Sequence, residues 1–185
     1  MSQQIIIGLT SQIAAGKGTV AQYLQTKYQA KSYGFSTPLR DILKRLYLPE
    51  TRANIVDVST FLRQRFGQDA LAKTIIEDIK RDDSPLIVLD GVRRLADITY
   101  AKELPKFVLV RVVTNAQTRY NRLIKRQQNT DDQSKTLEQF LEDETRETEL
   151  QIPEVMNQAD YEIDNNGTLE QTQTQVDELM KKLNK

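Results

Sequence analysis

Residues 8–20 read GLTSQIAAGKGTV and follow directly on Ile5, Ile6 and Ile7. The β-branched run has no helical period and reads as a strand buried on both faces. A turn of small residues comes next. Val20, Tyr23, Leu24 and Tyr28 then recur at helical spacing, so a helix is expected to begin near Gly16. Phosphate binding needs this order of strand, small-residue turn and helix. Backbone amides in the turn converge on an anion, and the helix N-terminus adds partial positive charge. Lys17 sharpens the reading, because a cation in a first helical turn is opposed by the helix dipole by up to about 1 kcal/mol. A phosphate bound between the two removes the conflict. Ala14, Ala15, Gly16, Lys17, Gly18 and Thr19 are therefore the candidate nucleotide-phosphate contacts. The Thr19 hydroxyl is available to Mg²⁺. The strict pattern G-x-x-x-x-G-K-[ST] is met only in part: Ser11 stands at its first glycine, Gly18 at its hydroxyl position, and Thr19 one place later.

Working outward, residues 33–35 read as a short strand, and Pro38 suits the first turn of a helix carrying Leu39, Ile42, Leu43 and Leu46. Helices are expected over residues 58–66, closed by Gly67, and over 69–80. A second apolar strand, residues 85–89, ends on Asp90 and Gly91. Residues 94–104 read as helix, 106–113 as strand and 160–163 as a last short strand. Three helix starts carry the capping-box pattern: Thr114 with Gln117, Thr136 with Gln139, and Thr168 with Gln171. The final helix places Leu169, Val176, Leu179 and Leu183 on one face. Strands alternating with helices predict parallel βαβ units and an α/β layered fold. Residues 127–135, QQNTDDQSK, are the one polar loop-like stretch.

Composition narrows the chemistry. The 185 residues fit one domain, and 26 basic residues balance 26 acidic ones. A protein built to hold duplex nucleic acid or an anionic membrane needs a basic surplus, so neither partner is expected. No apolar run approaches a membrane span, and the N-terminus lacks a signal-peptide pattern. Cysteine is absent, which suits a reducing cytoplasm. Histidine is absent too, so acid–base and metal chemistry falls to Asp, Glu, Lys, Arg, Tyr and hydroxyls.

Two further clusters carry charge that could serve such a site. Asp90 closes a buried strand, and ligands of open α/β sheets bind at the carboxyl ends of strands. There it could hold Mg²⁺ or orient the attacking group; the weaker alternative, read alone, is a turn or N-cap aspartate. Arg119, Arg122 and Arg126 share one helical face at i, i+3 and i+7, apart from Tyr120, Leu123 and Ile124. Read alone, such a stripe is a solvated face balanced by Glu138, Glu142 and Asp143.

These residues carry a resemblance. The loop is similar to that of dephospho-CoA kinases, close to GLTGGIGSGKSTV, and its GKGT ending resembles adenylate kinases. Asp90-Gly91-Val92-Arg93-Arg94 resembles the DGxxR segment of nucleoside monophosphate kinases, where the aspartate lies near Mg²⁺ and the arginine holds the acceptor phosphate. Arg94 takes the adenylate-kinase spacing DGFPR; Arg93 fits the DGIR form of archaeal adenylate-kinase-related proteins and is favoured. Phe35-Ser36-Thr37-Pro38-Leu39-Arg40 resembles the F-x-x-P-L-[KR] stretch of phage-type deoxynucleoside monophosphate kinases, which makes Arg40 a further acceptor contact. The arginine stripe resembles the start of the lid in this superfamily, with Arg146 returning to the same place as a further acceptor contact. Residues 159–167, ADYEIDNNG, resemble the ADxxIDNNG of dephospho-CoA kinases, whose loop lies beside the adenine, and so mark Asn166 and Gly167.

The resemblance covers nearly the whole chain. It implies a three-layer α/β/α P-loop kinase fold with a parallel five-stranded sheet of order 2-3-1-4-5. It also implies an acceptor-binding helical insert near residues 36–82 and a lid near 119–146. The implied reaction is phosphoryl transfer from ATP·Mg²⁺. Lys17, Asp90, Arg122 and Arg126 would be catalytic, and Arg119 would join the ATP contacts. Dephospho-CoA kinases carry an acidic DAD-like segment after the first helix. Here that place reads Lys31-Ser32-Tyr33-Gly34-Phe35, without a carboxylate. The expected acceptor is therefore a (deoxy)nucleoside monophosphate. The alternatives are dephospho-CoA or another small molecule, and a regulatory nucleotide-binding protein with weak ATPase activity.

Overall fold

The computed structural model describes residues 4–126, 136–145 and 149–184; at Arg52, Arg126 and Asp143 it describes the backbone alone. The elements run β1 (Ile5–Thr10), α1 (Lys17–Tyr28), β2 (Lys31–Gly34), α2 (Thr37–Arg45), α3 (Arg52–Phe66), α4 (Ala70–Lys80) and β3 (Leu86–Asp90). They continue with α5 (Leu95–Ala101), β4 (Phe107–Val113), α6 (Ala116–Arg126), α7 (Leu137–Asp143), α8 (Ile152–Asn157), β5 (Tyr161–Asp164) and α9 (Leu169–Leu183). All strand pairs are parallel and the sheet order is β2-β3-β1-β4-β5. This is the predicted order.

β1 lies at the centre because all six of its residues are buried, which only a strand covered on both faces permits. Ile5, Ile7 and Leu9 face α1 and α9 through Val20, Leu24, Val176, Leu179 and Leu183. Ile6 faces the opposite way, with Ile87, Leu89 and Leu109, onto Ile75, Ile76 and Ile79 of α4 and Ile98 of α5. The result is three layers, α/β/α. Each such side chain contributes about 1.5–3 kcal/mol on burial. That fixes the register Leu9↔Asp90 and so sets the end of β3 beside the end of β1. The amides of Gly91 and Val92 both donate to the Leu9 carbonyl, at 3.2 and 3.0 Å, and lock the two strand ends together.

Several local expectations need correction. Thr114 and Gln117 form no capping box; α6 is capped by Asn115, whose Oδ1 accepts from the Thr118 amide at 2.8 Å. The Thr114 hydroxyl is buried and turned instead toward the Ala15 carbonyl. The other two boxes form around Thr136–Gln139 and Thr168–Gln171. α5 ends at Ala101, three residues short of Leu104. On α9, Leu169 is exposed, and Thr172 takes the buried place one turn later by donating to Asn165 Oδ1 at 2.7 Å. Leu46 of the expected second helix is likewise exposed. α3 starts at Arg52, six residues before the expected Val58, because Thr51 accepts the Asn54 amide as an N-cap. α8, a six-residue helix with Pro153 in its first turn and Ile152 and Val155 buried, was not among the expected helices. No described helix is long and apolar enough to cross a membrane.

Candidate active site

The loop between β1 and α1 turns through two left-handed residues, Ala14 (φ 60°) and Gly16 (φ 92°). At Gly16 a Cβ would also run into the Asn165 amide. Ser11 is buried, has no positive φ, and donates from Oγ to the Gln12 carbonyl at 3.1 Å. The position therefore needs no glycine. α1 opens on Gly16 with no side-chain cap and no acidic residue in its first turn. The first amides of a helix lack intrahelical partners, so this end presents donors and positive potential to an anion. Thr19 is exposed in that turn. Gly18 points its missing side chain into open space.

The loop is propped from below. The Ala15 carbonyl accepts from Thr114 Oγ1 (2.9 Å) and Asn165 Nδ2 (2.8 Å), and Arg122 lies at 3.5 Å. Arg122 also donates to the Asn165 carbonyl at 2.9 Å. Arg119 is almost fully buried. Its guanidinium donates to the carbonyls of Thr114 (3.1 Å) and Ile13 (3.3 Å), pairs with Glu144, and stacks on the Phe140 ring at 5.3 Å. Arg119 thus ties α6 and the end of α7 to the loop backbone. Asn166, expected beside the base, is exposed and accepts from both nitrogens of Asn115, at 2.8 and 2.7 Å. Gly167 is exposed beside it, against Gln171. Asn165 is the member of that run that touches the loop. Its signal was present, since it sits inside the quoted Asp-Asn-Asn-Gly turn. The Arg126 side chain and all of Arg146 lie outside the described residues, as does the polar stretch 127–135.

Across the loop, Lys17 Nζ is paired with Asp90 Oδ1, both partly exposed. Gly91 follows with φ 89°, and its α-carbon faces Lys17 Nζ. Thr19 and Asp90 supply a hydroxyl and a carboxylate, oxygen donors that fit a hard divalent cation shared with phosphates.

A cleft of about 130 Å³ opens beside Gly91. Phe35, Ser59, Arg63, Gly91, Arg93, Arg94 and Asp97 line it. Both predicted arginines are there. Arg93 donates to the buried Glu149 carboxylate at 2.6 Å. Arg63 of α3 was not foreseen: α3 shows no clean apolar stripe, so nothing in the sequence separates this arginine from Arg65. Its Nε donates to Ser59 at 3.3 Å and its Nη1 to the Gln68 carbonyl at 2.5 Å, which turns it toward the cleft end of α3. Arg40 is not among the lining residues. It donates to Glu50 at 3.1 Å across the α2–α3 turn. Asp97 is buried, and its Oδ2 accepts the amides of Arg93 (3.1 Å) and Arg94 (3.0 Å). Burial pushes the Asp97 carboxyl above its ordinary pKa, against the two amide bonds and the charges of Arg63 and Arg94.

Comparison with known proteins agrees with this fold. Residues 7–150 match the model of a family described as AAA domain. A UPF0200 protein of Thermococcus kodakarensis is 32% identical over 193 residues, covering 97% of this chain and all of the relative. A UPF0200 protein of Sulfurisphaera tokodaii is 29% identical, covering 99% of each. A shikimate kinase from Bacteroides thetaiotaomicron shares the fold, with a TM-score of 0.63 at 15% identity over 96% of this chain and 98% of that one. The architecture is therefore that of the P-loop kinases.

Proposed function

Since this chain belongs to the AAA domain family and, across its length, to the UPF0200 proteins, we propose that it transfers the γ-phosphoryl group of ATP to a (deoxy)nucleoside monophosphate. One observation carries the reading. The loop before α1 and an arginine-lined cleft meet at Gly91, with Lys17 and Asp90 between them. Donor and acceptor phosphates bound on the two sides would face each other across that pair.

The roles follow from position. Amides of the 14–19 loop would hold the β- and γ-phosphates, and Lys17 would leave Asp90 to follow the transferring group. Thr19 and Asp90 would hold Mg²⁺, which when bound neutralises charge on the phosphates. Arg122 is held against the Ala15 and Asn165 carbonyls beneath the loop and would leave them to meet the developing charge; Arg126 keeps the lid role, and Arg146 the acceptor contact, assigned by resemblance. Arg63, Arg93 and Arg94 would hold the acceptor phosphate, while Phe35 offers an apolar wall to the rest of the molecule. Catalysis on this plan is positioning and charge neutralisation, with no strong base required.

The test is an ADP-release assay with ATP·Mg²⁺ against a panel of ribo- and deoxyribonucleoside monophosphates, with dephospho-CoA alongside. Turnover stimulated by a monophosphate is expected. Stimulation by dephospho-CoA alone would move the acceptor to that class, and slow ATP hydrolysis that no acceptor stimulates would leave a regulatory nucleotide-binding protein.

A further inference from the structure

Asn165, just past the end of β5, is buried against the underside of the loop before α1, and both ends of its amide are bonded. Nδ2 donates to the Ala15 carbonyl at 2.8 Å, and Oδ1 accepts from the Thr172 hydroxyl at 2.7 Å. The Thr172 bond sets which way round the amide stands, so its donor end faces the loop. Two other groups reach the same carbonyl less firmly. The Thr114 hydroxyl has one proton to share among the carbonyls of Ala15, Val113 and Asn165, and Arg122 lies at a weak 3.5 Å. Asn165 is therefore the one donor committed to the Ala15 carbonyl alone.

That hold fixes more than an oxygen. A peptide unit is planar and trans, so the Ala15 C=O and the Gly16 N–H point in opposite directions. With the oxygen drawn down to Asn165, the Gly16 amide is aimed away from the protein body. Gly16 is partly exposed, and among the described residues no acceptor takes its amide. A free N–H where α1 begins is the donor an anion bound there would use. The arrangement also needs glycine at this position, because φ is 92° and the Asn165 amide lies where a Cβ would be.

We propose that Asn165 is a positioning residue for phosphoryl transfer: by holding the Ala15 carbonyl, it turns the Gly16 amide onto a phosphate of the bound nucleotide. The inference rests on the loop being the ATP site. It also explains how Arg122 could leave the Ala15 carbonyl for the developing charge without the loop turning over, since Asn165 keeps the peptide in place.

Gly16 is the one glycine of the chain that follows an alanine. Labelling with carbonyl-¹³C alanine and ¹⁵N glycine therefore gives a single carbonyl–amide NMR correlation, from this peptide. The full chain is titrated with ADP·Mg²⁺, and affinity is taken by calorimetry on the same samples. In wild type the Gly16 amide proton should move downfield as ADP saturates, the mark of a new hydrogen bond. Asn165→Asp keeps the size and the bond from Thr172 but sets an oxygen against the Ala15 carbonyl. It should remove the Gly16 response and weaken ADP by about tenfold or more, the worth of one hydrogen bond to a charged group. Thr172→Val loosens the same turn yet leaves Nδ2 on the loop, so the Gly16 response and the ADP affinity should stay as in wild type. Unchanged affinity in Asn165→Asp, or equal weakening in both variants, would make Asn165 a packing residue and overturn the proposal. A wild-type Gly16 amide that bound ADP leaves unmoved overturns it without any variant, while the nucleotide site stands. Absence of ADP binding by wild type removes the nucleotide site and the inference with it.

Discussion

The Lys17 ammonium rests against the Asp90 carboxylate, bridging the N-terminus of α1 and the carboxyl end of β3. Side-chain exposures of 19% and 33% put the pair near solvent, where an ion pair contributes roughly 0–1 kcal/mol. Stability is therefore not its purpose. Each partner holds the other at the place where a phosphate and its cation would arrive.

Replacing Lys17 with Met should abolish acceptor-dependent ADP release while shifting the melting midpoint little. Asp90→Asn should keep nucleotide binding and lower kcat by about 10²-fold or more, since it removes charge at the reacting end alone. Parallel calorimetry with ATP and steady-state kinetics separate the two effects. Loss of ATP binding in Asp90→Asn would contradict the assignment.

The two glycines that flank Lys17 should behave in opposite ways. Gly16→Ala meets a positive φ and the Asn165 side chain, so it should lose ATP binding and cost about 1–3 kcal/mol. Gly18→Ser meets open space and replaces glycine near a helix start, so the fold should gain a few tenths of a kcal/mol. The added hydroxyl then competes with Thr19 for the cation. If Thr19 is the ligand, Thr19→Ala should raise the Mg²⁺ requirement, and Gly18→Ser should restore it in the double variant.

How far the sequence foretold this site follows the kind of signal each residue leaves. Lys17, Asp90 and the arginines after it sit at strand ends, and strand ends are fixed by short apolar runs that are plain in the sequence. The sheet order came through the family likeness carried by those same segments. Arg63, Asp97, Glu144 and Glu149 act through long-range pairings, with Arg93 lying 56 residues from Glu149. No local period announces such contacts. Arg40 shows the converse: its local motif is intact, yet Glu50 beyond the α2 turn takes its guanidinium. Thr114 fitted a capping box, but its hydroxyl found the Ala15 carbonyl, and Asn115 next to it served as the cap.

Arg119 distinguishes a prop from a ligand contact. With 4% of its side chain exposed and Glu144 as partner, its removal leaves carbonyls and a carboxylate unpaired. Arg119→Ala should destabilise the nucleotide-free protein by about 3–5 kcal/mol. An arginine whose whole role was to contact ATP would leave that melting curve unchanged and alter only the KM for ATP. Chemical denaturation without nucleotide decides between them.

Asp97 also gives a stability prediction with a definite sign. Burial raises its folded pKa above the unfolded value, opposed by the Arg93 and Arg94 amides and by the charges of Arg63 and Arg94; Glu149 faces the same loop. Between those two values the folded chain binds more protons than the unfolded one. Stability then falls as pH rises through the window. Asp97→Asn removes the ionisation and keeps an acceptor oxygen. The variant should match wild type near pH 3 and be the more stable of the two at pH 7, as followed by thermal melts across that range.

Arg63 and Arg40 put the acceptor site itself to the test. Arg63 lines the cleft with Arg93 and Arg94, whereas Arg40 is held outside it by Glu50. A guanidinium bound to a phosphate contributes about 1.5–3 kcal/mol. Arg63→Ala and Arg94→Ala should therefore each raise the KM for a monophosphate acceptor by about 10- to 100-fold, with the KM for ATP unchanged. Arg40→Ala should leave both constants within about threefold, as expected for an exposed pair. Kinetics in which Arg40 dominates and Arg63 is silent would place the acceptor along α2 rather than in the cleft. In that event the base would lie away from Phe35, and Phe35→Ala, otherwise expected to raise the acceptor KM, would change nothing.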